Sequence, residues 1–367
     1  MLPYGVPSFD RLKSADFRAA FDQGIREELA DIERIAAGTE PPTFANTMEA
    51  LERSGTLLRR TLSVFNVLRS AHSDEVLQQI DAEYSPRLSA HRDAIDLNPQ
   101  LFARVRSLYE GRAALGLDAE QLRLVEERYR SMVRAGAALP PERQEAVCAN
   151  NVARANVVAE IRRRILAEVN AAAVVVDDRS LLDGLPEGDI EAAAAAAAGP
   201  GLSGRWVLPL QNTTQQPAMA YLRNRAMRER LFKASVARNA GGVNDTTELL
   251  RELARLRPER AALLGFDDHA AYTLDDTIAR TAENALGLLR RMVPATVARV
   301  RGEAARLEAR LRMDEPGATL EPWDWQYYAE RRLRGGRGRG APVLRARSRA
   351  AGRRLLRGHR ALRDYVP

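Results

Sequence analysis

DFRAAFDQGIREELADIERIAAG, residues 16–38, sets the fold class. Its apolar residues Phe17, Phe21, Ile25, Leu29, Ile32 and Ile35 recur every three or four positions among acids and arginines. That spacing lines one face of a helix, and Gly38 closes the run. The same rhythm continues beyond Pro41-Pro42 through Met48, Leu51 and Leu58, with Asn46 or Thr47 as the expected cap and a break near Gly55. It resumes through Val64 and Leu68, then through Leu77, Ile80, Tyr84, Leu88 and Ile95, and through Leu101, Val105 and Leu108 after a turn at Asn98-Pro99. Asp118 opens another helix through Leu122, Val125, Tyr129 and Met132.

From Pro140 to Val176 the pattern loosens, although Val157, Ile161 and Ile165 keep a helical rhythm up to the β-branched run Val174-Val175-Val176. Seven alanines, Ala192 to Ala198, between Asp189 and Gly199-Pro200 predict a short helix with Asp189 as its cap. RWVLPL, Arg205 to Leu210, predicts a strand. Helical spacing returns near Met219 and runs, with turns at Gly241-Gly242 and Gly265, to Arg312. The expected fold is therefore mainly α, in irregular multi-helix layers, with a small β element near 205–217. The expected organisation is a helical region over 1–176, a second helical region with the small sheet over 177–330, and an Arg/Gly-rich tail over 331–367.

Charge separates the tail from the rest. From Arg331 to Pro367 there are 13 arginines and one acid, Asp364, whereas residues 1–330 hold 43 basic and 48 acidic residues. The basic character of the whole thus belongs to the tail and carries no inference that the body binds nucleic acid. Cys148 is the only cysteine, so an intrachain disulfide and a cysteine-based zinc site are excluded. No apolar run approaches the roughly 18 residues of a membrane span, and MLPYGVPSFD lacks the features of a secretory signal. A cytoplasmic monomer without a membrane partner is expected.

The chemistry-bearing motifs are weak. Gly199-Pro-Gly201-Leu-Ser-Gly204 fits G-x-G-x-x-G, but a dinucleotide site needs a strand before the glycines and a helix after them, and here the order is reversed. His72, His91, His269 and His359 include no pair spaced four apart, and H-E-x-x-H is absent. Asp267-Asp268-His269 follows Gly265 and reads as a turn between helices. There is no G-x-S-x-G, and Cys148 has no local context of a nucleophile. WDWQYY, Trp323 to Tyr328, packs four aromatics into six positions and reads as a helix start anchored in a core, with Asp324 near its positive end.

PWDWQYYAERR, beginning at Pro322, also resembles a segment of the thimet oligopeptidase and oligopeptidase A family of zinc metallopeptidases. So do PTFANTMEALERSG from Pro42, SPRLSAHRDAIDLNPQLFARV from Ser85 and ERAALLGFDDHAAY from Glu259, in the same order. LPLQNTTQQPAMAYLRNRAMRERLF, from Leu208 to Phe232, resembles the peptidyl-dipeptidase Dcp branch, whose members release dipeptides from peptide C-termini. The resemblance spans roughly residues 2–334. It implies the N-terminal part of a two-lobed helical enzyme with a channel for short unstructured peptides. It also implies one zinc, held by the two histidines of H-E-x-x-H and a downstream glutamate, with the motif's glutamate activating water.

None of those metal or catalytic residues has a counterpart in these 367 residues, so no zinc ligand and no catalytic residue is assigned, and the chain by itself is expected to be inactive. After Glu330 the family pattern gives way to GGRGRGAPVLRARSRAAGRRLLRGHR, as a frameshift near 330–335 in a GC-rich gene would produce. Two other readings remain open at this point. The tail could contact nucleic acid nonspecifically through phosphates. Alternatively, a non-catalytic half-channel could hold peptides along the edge at Trp206 to Leu210, with Gln211, Asn212, Thr213 and Thr214 as cleft residues.

Overall fold

A computed structural model describes residues 7–199, 201–210 and 212–331, and at 170 and 212–216 the backbone alone. The fold is mainly α, as the periodicity predicts. The described residues form two compact units, one from residues up to 166 and 239–287, the other from 167–238 and 288–331. No helix among the described residues is long and apolar enough to cross a membrane.

The first unit opens with α1, Asp16–Ala36, which buries Phe17, Phe21, Ile32 and Ile35 of the predicted face, leaves Ile25 half-buried and exposes Leu29. The next helix is capped by Thr43 rather than Asn46 or Thr47. Asn46 is the reciprocal partner in that capping box: Thr43 accepts from its backbone N–H, and its side chain accepts from the N–H of Thr43. A π-helical turn, Phe44–Glu49, leads into α2, Ala50–Arg53. Gly55, at φ +63°, then makes the break before α3, Thr56–Ala71. A side chain at 55 would collide with the Glu28 carboxylate, 2.1 Å from the position of a Cβ.

Asp74 caps α4, Glu75–Asp96, and Asn98 caps α5, Pro99–Gly111, with Pro99 in the first turn where its missing N–H costs nothing. Asp118 and Gln121 form a capping box on α6, Ala119–Ala135, which Gly136 ends at φ +114°. The loose stretch after Pro140 is a continuous helix, α7, Pro141–Ala171. Its apolar residues meet α11, Thr247–Leu263, at a small cluster of Val157, Leu253 and Leu256. One short strip of contact needs no apolar stripe along all of α7, which is why periodicity reads it poorly.

Two larger cores hold this unit. Phe17, Phe21, Phe65 and Tyr84 stack and meet edge to face with ring centroids 5.0 to 6.4 Å apart. Ile32, Met48, Leu101, Val105, Val125 and Met132 make the other. Each such side chain contributes about 1.5–3 kcal/mol by leaving water. The short α12, His269–Leu274, also belongs here and is capped by Asp268, whose carboxylate accepts from Ala271 N–H at 2.7 Å.

In the second unit β1, Val174–Val176, pairs antiparallel with β2, Trp206–Leu208, in the register Val174↔Leu208 and Val176↔Trp206. The β element expected over 205–217 is thus narrower on that side. Pro209 has no N–H for a ladder, and residues from Asn212 onward form α9, Asn212–Tyr221. Between the strands lies α8, Glu187–Ala198, whose cap is Pro186 rather than Asp189. Glu187 and Asp189 instead sit in its first turn, where a carboxylate complements the helix dipole.

Strands, α8, α9 and α10, Arg225–Val236, enclose Val174, Val176, Leu182, Leu210, Leu222 and Leu231. The last long helix, α13, Ala282–Asp314, buries only Leu307 and Leu311, against Tyr328. Every residue from 288 to 302 is exposed, including Leu288, Leu289, Met292, Val293, Val297 and Val300. Residues 325–331 are helical, and 332–367, which hold nearly all of the expected basic tail, lie outside the described residues.

Candidate functional site

The aromatic-rich segment enters the second unit through a 3₁₀ turn, Pro322–Asp324. Asp324 is wholly buried, and the structure gives it two cationic partners. Asn224 caps α10 by accepting from Met227 N–H at 3.0 Å, which places Arg225 and Arg228 three residues apart on one helix face. Arg225 donates through Nη2 to Oδ2 at 2.7 Å and through Nε to Oδ1 at 3.0 Å. Arg228, 1% exposed, donates through Nη2 to Oδ1 at 2.9 Å. The backbone N–H of Glu321 adds a bond to Oδ2 at 3.1 Å.

Burial alone would push the Asp324 carboxyl up, but the hydrogen bonds from Arg225 and Arg228 outweigh it and hold the group below its ordinary value. Arg228 spends its remaining donors on the carbonyls of Leu222 (2.9 Å), Arg223 (3.0 Å) and Trp323 (3.2 Å), and its guanidinium lies 4.2 Å from the Tyr327 ring centroid. The two carbonyls that follow α9 are therefore closed by a buried cation, as the negative end of a helix favours.

Beside this clasp is a cavity of about 590 Å³ lined by Tyr221, Arg223, Asp314, Tyr327, Tyr328 and Arg331 among others. Tyr328 donates to Asp314 Oδ2 at 3.1 Å, and burial together with that carboxylate pushes its phenol well up, so it stays protonated. Arg331 also bonds Asp314. Aromatic faces with fixed charges of both signs can hold an extended polar chain by stacking and ion pairing. They supply no nucleophile.

The sequence-predicted residues fall as follows. Gln211 lies outside the described residues. Asn212, Thr213 and Thr214 form the first turn of α9, and their side chains are likewise outside the description. The glycines of the G-x-G-x-x-G stretch make turns, with Gly201 and Gly204 at φ +73° and +84°. His91 is bonded to Glu28 at 2.7 Å. Burial pushes the Cys148 thiol up, the opposite of an activated nucleophile. Arg225 and Arg228 were not singled out from the sequence. Their only trace is two arginines three apart after a capping Asn, in the segment that resembles the Dcp branch.

Comparison with known proteins places these elements. Residues 218–335 match the model of Peptidase family M3. The chain is 41% identical over 331 residues to the dipeptidyl carboxypeptidase of Salmonella typhimurium, covering 90% of this chain and 49% of that protein. It is 40% identical over 330 residues to the dipeptidyl carboxypeptidase of Escherichia coli (90% and 48%), and 25% over 336 residues to oligopeptidase A of the same organism (90% and 49%). The chain spans about half the length of the curated relatives it matches. The resemblance read from the motifs is thereby borne out. A zinc ion, which that family implies, does not fit the donors in hand: among the described residues no three His, Cys, Asp or Glu side chains are grouped to hold a metal ion.

Proposed function

We propose, from a chain whose residues 218–335 carry the sequence of peptidase family M3, that it is the N-terminal portion of a zinc-dependent peptidyl-dipeptidase. The whole enzyme releases dipeptides from the C-termini of short unstructured peptides in the cytoplasm. This portion supplies scaffold and peptide contacts, and the zinc and the general base come from the sequence that holds H-E-x-x-H. The observation that carries this reading is the 41% identity to a dipeptidyl carboxypeptidase over 90% of the chain, in 367 residues that contain no H-E-x-x-H.

The cavity beside Asp324 supports the peptide-contact role. Its tyrosines and its paired charges present side-chain groups, and the clasp fixes the start of the helix that bears Tyr327 and Tyr328. A half-channel with this lining binds without cleaving.

Two experiments test it. Reading the gene from codon 320 onward in all three frames is expected to find H-E-x-x-H and a downstream glutamate. The chain, incubated with an N-blocked pentapeptide and zinc, is expected to release no dipeptide. Zinc-dependent release by this chain would overturn the assignment of catalysis to other residues, and absence of the motif from every frame would overturn the peptidase reading.

A further inference from the structure

A cavity of about 680 Å³ lies in the first unit, walled by α3, α4, α7 and α11. Five arginines and three aspartates line it, so its charge is positive. Most of these groups are paired. Arg69 bonds Asp81 at 2.9 Å, Arg162 stands 3.9 Å from the same carboxylate, and Asp96 stands 3.6 Å from Arg128. Arg260 donates through Nε to Asn151 Oδ1 at 2.7 Å and lies 4.7 Å from the Tyr272 ring centroid. Asn151 in turn donates to Asp93 Oδ1 at 2.8 Å.

Two are not: Arg92, which has the Asp93 and Asp96 carboxylates only as electrostatic neighbours, and Arg154, half-buried on α7. Among the described residues Arg154 makes no hydrogen bond and no ion pair, and its Nε is buried without an acceptor. Burial penalises its protonated form, and its charged neighbours Arg260 and Arg257 add to that penalty by repelling it. A guanidinium stays protonated regardless, so the penalty persists until an anion arrives. Asp93 lines the same cavity with its Oδ2 buried without a partner, and burial raises its carboxyl.

We propose that this cavity binds a small oxyanion group, a carboxylate or a phosphate, with Arg154 as the anchoring cation. A guanidinium matches either group in a two-pronged geometry. The inference stands apart from the peptidase reading, because free phosphate would satisfy it as fully as a peptide terminus.

Calorimetry on the 367-residue chain tests it with inorganic phosphate, an N-acetylated tetrapeptide and the same peptide as its C-terminal amide. Binding of phosphate alone identifies a free oxyanion as the ligand, and binding of the acid without the amide identifies a terminal carboxylate. In either case Arg154→Gln weakens binding by at least ~10-fold, the loss of a charge-assisted bond, Arg154→Lys recovers part of it, and Arg162→Gln changes it by less than about twofold, as a partly exposed pair allows.

His269 gives a second readout that does not depend on a variant folding. Burial and Arg257, Arg154 and Arg260 lower its pKa, against Asp268, so an anion at Arg154 shifts its imidazole titration upward in NMR. No heat from phosphate or the acid at millimolar concentration overturns the proposal. So does equal binding of acid and amide, unchanged affinity in Arg154→Gln, or a His269 titration that saturating anion leaves in place.

Discussion

Arg228 in the second unit is buried and Arg154 in the first is half-buried, and they differ in what surrounds them. Arg228 meets the Asp324 carboxylate, three carbonyls and an aromatic face. Arg154 meets two other arginines and a cavity. The acids nearby follow suit: Asp324 is held below its ordinary pKa by its two arginines, whereas Asp93 is pushed above it by burial. A buried ion cluster whose bonds are all made internally fixes structure, and one left short of a partner is suited to receive one.

The largest way to break this contrast is Asp324→Asn. It leaves Arg228 buried with its charge uncompensated, and the expected loss is about 3–5 kcal/mol. Trp206, Trp323 and Trp325 are the only tryptophans and all belong to the second unit, so their fluorescence during urea unfolding reports this loss. A loss under ~1 kcal/mol would make the clasp equivalent to a surface pair. Next comes Gly184→Ala, where the backbone lies against Tyr221, the last residue of α9. Gly184 has φ +97°, and a Cβ there would stand 2.2 Å from the Tyr221 carbonyl oxygen. The same unfolding curve should move by about 1–3 kcal/mol toward instability.

Arg154→Met sharpens the comparison from the other side, because removing a cation that lacks a counter-charge is expected to stabilise by roughly 1 kcal/mol, measured by circular dichroism in urea without added anion. Destabilisation would mean that Arg154 has a partner after all. The smallest effect is expected from Asp93→Asn, which keeps an acceptor for Asn151 and removes an unfavourable charge, for a gain of a few tenths of a kcal/mol at neutral pH. Stability against pH separates the two acids. The contribution of Asp324 is present above the ordinary carboxylate value of 3.8 and disappears as pH falls through its lowered folded pKa. The penalty on Asp93 is present above its raised folded pKa and is relieved as pH falls through it, so Asp93→Asn flattens that part of the curve.

Much of the helical architecture is legible in the sequence, because α1, α4, α5 and α6 each bury one face and three of them are announced by a capping Asp or Asn. What escapes is non-local or short. The π turn at 44–49 depends on a capping box that reads equally well one turn later, and α7 buries too narrow a strip to show a period. β2 was predicted, but its pairing with the β-branched run at 174–176 is fixed only by folding. Asp324 reads from the sequence as a helix start in a core, and it is buried in the turn that opens the helix. Its meaning lies in Arg225 and Arg228, which stand 99 and 96 positions away. No spacing rule reaches that far. Arg154 is illegible for the opposite reason, since an arginine on a polar helix looks like solvated surface until the neighbours that repel it are in place.

The bare half of α13 has a kinetic consequence. Among the described residues every one from 288 to 302 is exposed, and Pro294 lacks an amide proton for the helix ladder. A free helix of this length, about 12–15 residues, is marginal in water. Its amide protons are therefore expected to exchange with solvent through local opening, far faster than those of the helix end that buries Leu307 and Leu311. Arg290, Arg291, Arg299 and Arg301 lie within it, so among the described helices of the second unit an arginine-specific protease is expected to enter this one first, leaving both packed cores of that unit intact at the moment of that cut.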